Sequence, residues 1–172
     1  MRVLVDTNVV LDVFLDRRPF AEAATQVFAL VEESRIEGFL CATTVTTVDY
    51  LLGQALPPKE ARAALQRLLG LFEIAPVNRP VLEQALRSDI SDFEDAVIEQ
   101  AARLISADAI ATRNLTDFEK SSVTAFDSPE LIATVKASES ANKAVDSDEK
   151  WRRAKRRAIS RASRHTLGGR IS

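Results

Sequence analysis

Short apolar runs alternate with helical stretches along most of this chain, and that alternation restricts it to few folds. VLVD at 3–6, FLCATTV at 39–45, FEIAPV at 72–77, ADAIAT at 107–112 and VTAF at 123–126 read as strands. Between the first two, Val9, Val10, Val13 and Phe14 have the spacing of a helix starting near Asn8, which Pro19 ends or redirects. Ala23, Ala24, Val27, Phe28, Leu30 and Val31 then mark an amphipathic helix expected to close near Gly38. TTVDYLLGQAL looks helical up to Pro57-Pro58, and KEARAALQRLLGLF is strongly so. Arg79 to Leu86 predicts a short helix, and FEDAVIEQAARLI a longer one with Asp92 as its N-cap. In SPELIATV, Ser128 is expected to cap a helix whose first position is Pro129. Strands alternating with helices predict an α/β fold of three α/β/α layers, with a central parallel sheet of four to five strands. Ligands of such sheets bind beyond the carboxyl ends of the strands.

That rule changes the weight of the acids. Asp6 closes the first strand and RNLTDF follows the fourth, so parallel strands put Asn114 and Asp117 on the same sheet edge as Asp6. Asp92 and Asp95 open the helix before the fourth strand and share a helical face, whereas Glu94 is expected to point elsewhere. Each acid alone also has a plain reading: Asp6 as a turn residue, Asp95 as a first-turn acid favoured by the helix dipole, Asp117 as a loop acid, Asp49 as a solvated or capping acid. Asp12 and Asp16 are expected on the solvated surface. One cysteine, Cys41, and one histidine, His165, exclude a His/Cys zinc cluster, so any metal must be held by oxygen. Two carboxylates about 4 Å apart repel by roughly 4 kcal/mol at an effective dielectric near 20. Three together call for a cation between them.

Composition enters at the end of the chain. Residues 150–172 carry nine Lys and Arg and no acid, which leaves all 25 acids in the preceding part. This divides the chain into an acidic domain at 1–135 and a basic extension at 136–172, expected to be helical around 147–166 and weakly apolar along Trp151, Ala154, Ala158 and Ala162. The extension reads either as a solvated arm or as a nucleic-acid clamp through Arg152, Arg153, Lys155, Arg156 and Arg157. Apolar runs broken by Asp6, Asp12 and Asp49 fall far short of the roughly 20 residues a bilayer span needs. No charged segment precedes an apolar one at the N-terminus, so a cytoplasmic protein with no membrane association is expected.

The stretches VLVDTNVVLD, SDFEDAVIEQAA, IATRNLTDF and DSPEL, in that order and spacing, resemble the PIN-domain nucleases, in particular the bacterial branch that includes VapC-like toxins. The resemblance covers about residues 1–135. It implies a PIN-like α/β/α fold and a ribonuclease that hydrolyses RNA phosphodiester bonds with Mg²⁺ or Mn²⁺, inhibited by a protein antitoxin and often dimeric. Carried over by position, the catalytic and metal-binding acids are Asp6, Asp95 and Asp117, with Asn114 where many members have another aspartate. Thr7, Asn8, Thr47, Thr112 and Asn114 would orient ligands, water or phosphate, and Arg113 would contact a backbone phosphate. The departure is at the family's glutamate on the helix after strand two, which falls near Thr47. Asp49 is two residues on, about 200° around a helix. Asp49 or Asp92 would then replace the missing acid, or the chain is a catalytically weakened or silent RNA-binding or regulatory module.

Overall fold

The computed structural model describes residues 1–166. Five strands, β1 (Arg2–Val5), β2 (Glu37–Cys41), β3 (Glu73–Ala75), β4 (Ala109–Ala111) and β5 (Thr124–Phe126), form one all-parallel sheet in the order β3-β2-β1-β4-β5. Helices α1 (Thr7–Phe14), α2 (Ala21–Glu32), α3 (Ala42–Ala55), α4 (Pro58–Leu71), α5 (Arg79–Ala85), α6 (Phe93–Leu104) and α7 (Ser128–Thr166) connect and follow them. A 3₁₀ turn spans Leu115–Phe118. Among the described residues no helix is long and apolar enough to cross a membrane.

Strand side chains alternate between two cores, as a pleated sheet requires. Val3, Val5, Leu40 and Ala111 pack with residues of α1, α2, α3, α4 and the start of α7. Leu4, Phe39, Cys41 and Ile110 face the opposite way, onto α5 and α6. Both faces of the sheet are therefore covered, which is why its central strands are apolar throughout rather than alternating.

Three local expectations are corrected. Gly38 does not close α2; that helix ends by Glu33, Ser34 takes the left-handed conformation at φ 55°, and Gly38 lies inside β2. A glycine is needed there because a β-carbon would come within 2.7 Å of Val31 and 2.8 Å of Phe72. The strand FLCATTV stops at Cys41, and the β-branched residues that follow enter α3. Leu40 is the partner of Val5, the last residue of β1, so beyond it the ladder has no central strand to pair with. The cap of α7 is Asp127 rather than Ser128: Asp127 Oδ1 accepts from the Glu130 N–H at 2.8 Å while Glu130 Oε2 accepts from the Asp127 N–H at 3.2 Å. Asp92 caps α6 as the sequence indicates, accepting from the N–H groups of Glu94 at 2.8 Å and Asp95 at 3.2 Å.

The chain divides into two compact units, Met1–Val135 and Lys136–Ser172. In the second, residues 136–166 are helical and carry acid-to-base pairs four residues apart: Asp146 to Lys150 at 2.6 Å, Asp148 to Arg152 at 2.8 Å and Glu149 to Arg153 at 3.4 Å. An acid placed N-terminal to its base is the stabilising order. Lys155 Nζ stands 4.8 Å from the centre of the Trp151 ring. Arg156 is exposed. The Arg157 side chain lies outside the described residues.

The Gly38 contact yields a stability prediction. Gly38→Ala should lower the unfolding free energy by about 1–3 kcal/mol through overpacking. In a Val31→Ala background the same change should cost less, because part of the clash is gone. Urea unfolding of the four chains checks this, and equal costs in both backgrounds would refute it.

Candidate active site

Asp6 stands at the point where β1 gives way to α1, directly opposite the end of β4. Its N–H donates to the Ala111 carbonyl at 2.9 Å, which carries the β1–β4 pairing one residue past the strands. That bond brings the residue after each strand, Asp6 and Thr112, side by side. Thr112 Oγ1 donates to Asp6 Oδ2 at 2.8 Å, and Asn8 Nδ2 donates to the same oxygen at 2.6 Å and to Thr112 Oγ1 at 3.1 Å. The Asn114 N–H also donates to Thr112 Oγ1, at 3.1 Å. The Arg113 N–H donates to Asn8 Oδ1 at 3.0 Å, which fixes which end of the amide is oxygen. Asp6 is thus buried, 5% exposed, in an orientation set by two neighbours on two different segments.

Asp95 occupies the first turn of α6 and is half-buried, and Asp117 lies exposed on the 3₁₀ turn. Burial is the largest influence on Asp95, and the charges of Asp6, Asp92, Asp117 and Glu94 all act in the same direction, so its carboxyl is pushed up from 3.8 to about 7. Asp6 is pushed up to about 6, mainly by burial; the Thr112 hydroxyl, the Thr7 N–H and Asn8 oppose the shift, and Glu94 adds to it. Acids from β1, α6 and the 3₁₀ turn therefore feel one another across a shared space at the carboxyl end of the sheet. Protonation is the relief available to them without a cation.

The other expected residues fall as follows. Asn8 and Thr112 hold Asp6 directly. The Thr7 hydroxyl donates to Thr44 Oγ1 at 3.3 Å, tying α1 to α3. Thr47 Oγ1 donates to Glu94 Oε1 at 3.3 Å, so Glu94 does not point elsewhere; it reaches from α6 to α3 and its charge falls on Asp6 and Asp95. Asn114 and Asp117 meet through the backbone, the Asp117 N–H donating to the Asn114 carbonyl at 3.1 Å. Asp92 is engaged as the α6 cap. Asp49 lies half-buried on α3, and among the described residues no hydrogen bond or ion pair joins it to these acids. Arg113 Nη1 lies 3.0 Å from Asp12 Oδ1, and its guanidinium stacks 4.6 Å from the centre of the Phe20 ring.

Asp12 corrects a further expectation. It is 2% exposed rather than solvated, and its charge is met by Arg113, 101 residues away. Periodicity gave a partial signal, because Asp12 follows Val9 by three residues and so shares the buried face of α1. Glu94 offered a weaker signal. Its rotation on the helix misled, and only the length of its side chain hinted at the reach to Thr47.

Among the described residues no group of three or more His, Cys, Asp or Glu side chains forms a ready cage for a metal ion. The donors nevertheless suit one class of ion. They are all oxygen, and Mg²⁺ is usually held by one or two carboxylates with water and substrate oxygens completing its octahedron. A three-acid cage is not required for that ion.

The sequence pattern of the PIN domain family matches residues 2–116. Over 101 residues the chain is 25% identical to ribonuclease VapC1 of Aquifex aeolicus, covering 56% of this chain and 69% of that one. Several solved structures are similar in fold. FitAcB from Neisseria gonorrhoeae superposes with a TM-score of 0.57 at 25% identity, over 73% of this chain and 97% of that one. A toxin–antitoxin complex from Klebsiella pneumoniae gives 0.53 at 26% identity, over 68% and 90%.

The raised carboxyls couple stability to pH. The folded state binds protons that the unfolded chain has released, so their contribution is complete below about pH 4 and is lost as pH rises through about 6 and 7. In EDTA the melting temperature should therefore fall between pH 5 and pH 8. Asp95→Asn should melt about 2–4 °C above wild type at pH 8, the shift given by ~1 kcal/mol in a chain of this size, and the difference should vanish as the pH falls below about 4. Calorimetry checks both, and a variant no more stable at pH 8 would overturn the electrostatic account.

Proposed function

This chain belongs to the PIN domain family, and from that premise we propose that it is a metal-dependent endoribonuclease, the toxin of a toxin–antitoxin pair. The observation that supports the reading is the influence of the Asp6 and Asp117 charges on half-buried Asp95, from three remote segments, beside an Asp6 carboxylate held in place by Thr112 and Asn8. The names of its relatives, a ribonuclease and a toxin–antitoxin complex, point the same way.

A bound Mg²⁺ or Mn²⁺ would neutralise charge on a phosphodiester and lower the pKa of a water to supply the nucleophile. Asp6, Asp95 and Asp117 are the residues that would hold it. Asn8 and Thr112 hold the Asp6 carboxylate through its Oδ2, and Asp92 fixes the start of α6 and with it Asp95. Arg113 spends its charge on Asp12 and its N–H on Asn8, so its main contribution is to brace the Asp6 network. On this reading a protein antitoxin would dock in the groove of about 720 Å³ that Val13, Phe14, Phe28 and Leu68 line together with Glu32 and Arg67.

A second reading, a silent PIN fold that binds RNA without cutting it, is favoured by Thr47 where the family has an acid. Incubation of structured RNA with Mn²⁺ separates the two. Cleavage that falls by at least about a hundredfold in Asp6→Asn and Asp95→Asn, the scale of losing a principal electrostatic contact at a reacting centre, is the expected result. RNA binding without cleavage by metal-loaded protein would favour the silent module. For the basic helix, truncation after Lys136 should weaken RNA affinity and flatten its salt dependence, since each phosphate contact steepens that slope. Unchanged binding would remove the arm from the substrate interface.

A further inference from the structure

Glu99 is a buried acid that the chemistry above does not use. It is 4% exposed, on α6. Its Oε1 accepts from the Ser122 N–H at 2.8 Å, the Ser122 hydroxyl at 3.0 Å and the Ser121 hydroxyl at 3.4 Å, and its Oε2 accepts from the Gln100 amide at 2.9 Å. All of these donors are uncharged. A buried carboxylate is a costly means of gaining stability even when a base is paired with it, whereas hydrogen bonds to a carboxylate are short and directional. What Glu99 supplies is a fixed placement of two segments rather than net stability. Each of those segments carries an acid of the crevice. Asp95 precedes Glu99 by four residues, so the two lie on the same side of α6. Ser121 and Ser122 follow the 3₁₀ turn that bears Asp117, and the Ser121 N–H donates to the Phe118 carbonyl at 2.9 Å, which joins the serines to that turn. Phe118 shares a core cluster with Val97, Ile98 and Ala101 of α6. Apolar burial is non-directional, so it keeps the turn close to α6 without fixing its rotation. The bonds from Ser121 and Ser122 to Glu99 are the directional attachment.

We propose that Glu99 is a positioning residue: through Ser121 and Ser122 it clamps the segment after the 3₁₀ turn to α6, and so sets where Asp117 stands relative to Asp95. This rests on the nuclease reading above, in which those two acids serve one ion. Glu99 itself, with both oxygens engaged by donors, is not a ligand of that ion. Its effect on the site passes through backbone, from the serines to the turn on one side and along one turn of helix on the other.

Two measurements on the full chain test this without reference to activity. In the first, nitroxide labels on Thr116→Cys in the 3₁₀ turn and Leu104→Cys at the end of α6, both exposed positions, report the separation of the two segments by pulsed electron paramagnetic resonance; the native Cys41 is buried. Glu99→Gln should broaden the distance distribution, because the amide nitrogen that replaces one oxygen meets a donor where an acceptor stood. Ser122→Ala should broaden it less, and Ser122→Thr, which keeps the hydroxyl, should leave it as in wild type. In the second, Mn²⁺ is titrated into the unlabelled chain. Glu99→Gln should weaken binding by about tenfold, the lower end of the effect of removing groups that orient metal ligands. In an Asp117→Asn chain the same change should have little effect, because the acid being placed is gone. A group that only stabilised the fold would weaken binding alike in both chains. An unchanged distance distribution in Glu99→Gln, or equal losses of Mn²⁺ affinity with and without Asp117, would overturn the positioning role and leave the nuclease reading standing. If Asp117→Asn binds no Mn²⁺, the distance distribution decides. If wild type binds none, the nuclease reading falls and the role of Glu99 with it.

Discussion

The bond from the Asp6 N–H to the Ala111 carbonyl is the constraint on which the rest of the crevice depends. It is an ordinary parallel-sheet contact continued one residue past the strands, and its effect is to set the residue after β1 beside the residue after β4. Asp6 and Thr112 lie 106 positions apart in the chain, yet their side chains share a hydrogen bond of 2.8 Å. From that contact outward, each partner is placed by backbone already fixed. Asn8 is two residues on from Asp6, Asn114 is two on from Thr112, and Arg113 closes the loop by donating to Asn8. A slip of the β1–β4 register by one residue would turn Val3 and Val5 to the wrong core and separate Asp6 from Thr112 together.

Three buried acids illustrate how differently a fold can accommodate the same group. Asp12 has a guanidinium 3.0 Å away. Glu99, 4% exposed, accepts from the Ser122 N–H and hydroxyl, the Ser121 hydroxyl and the Gln100 amide, and so pins the loop before β5 to α6. Asp6 has hydroxyl and amide donors on one side and other carboxylates on the other. Asp12 and Glu99 are closed arrangements with a structural result. Asp6 is an open one, destabilising at neutral pH unless something positive joins it, and in a protein of marginal stability such an arrangement is retained where it serves binding or chemistry.

Much of this was legible in the sequence. The alternation of strand and helix gave the parallel sheet, and the parallel sheet gave the common edge for Asp6 and Asp117, because direction alone decides where the carboxyl ends of strands fall. The Asp92 cap could be read from its position before FEDAV. Gly38 was misread because a glycine after a helix usually marks its end, and the reason for this one is the approach of Val31 and Phe72, residues 7 and 34 positions away. Asp12 was misread because its partner is 101 residues downstream. Glu94 was assigned by helical rotation, which fixes the direction of the Cα–Cβ bond but not where a side chain with three further torsions ends.

The sequence by itself determined most of the elements, their parallel direction and the set of oxygen donors, because periodicity, capping residues and the near absence of histidine and cysteine are local or countable properties. Which donors meet was decided only by the tertiary structure. Contacts such as Thr112 to Asp6, Arg113 to Asp12 and Thr47 to Glu94 join segments 47 to 106 residues apart. No local preference encodes a distance across such a span; it exists once strand register and helix packing have placed the backbones, and the side chains then settle against whatever charge they find there.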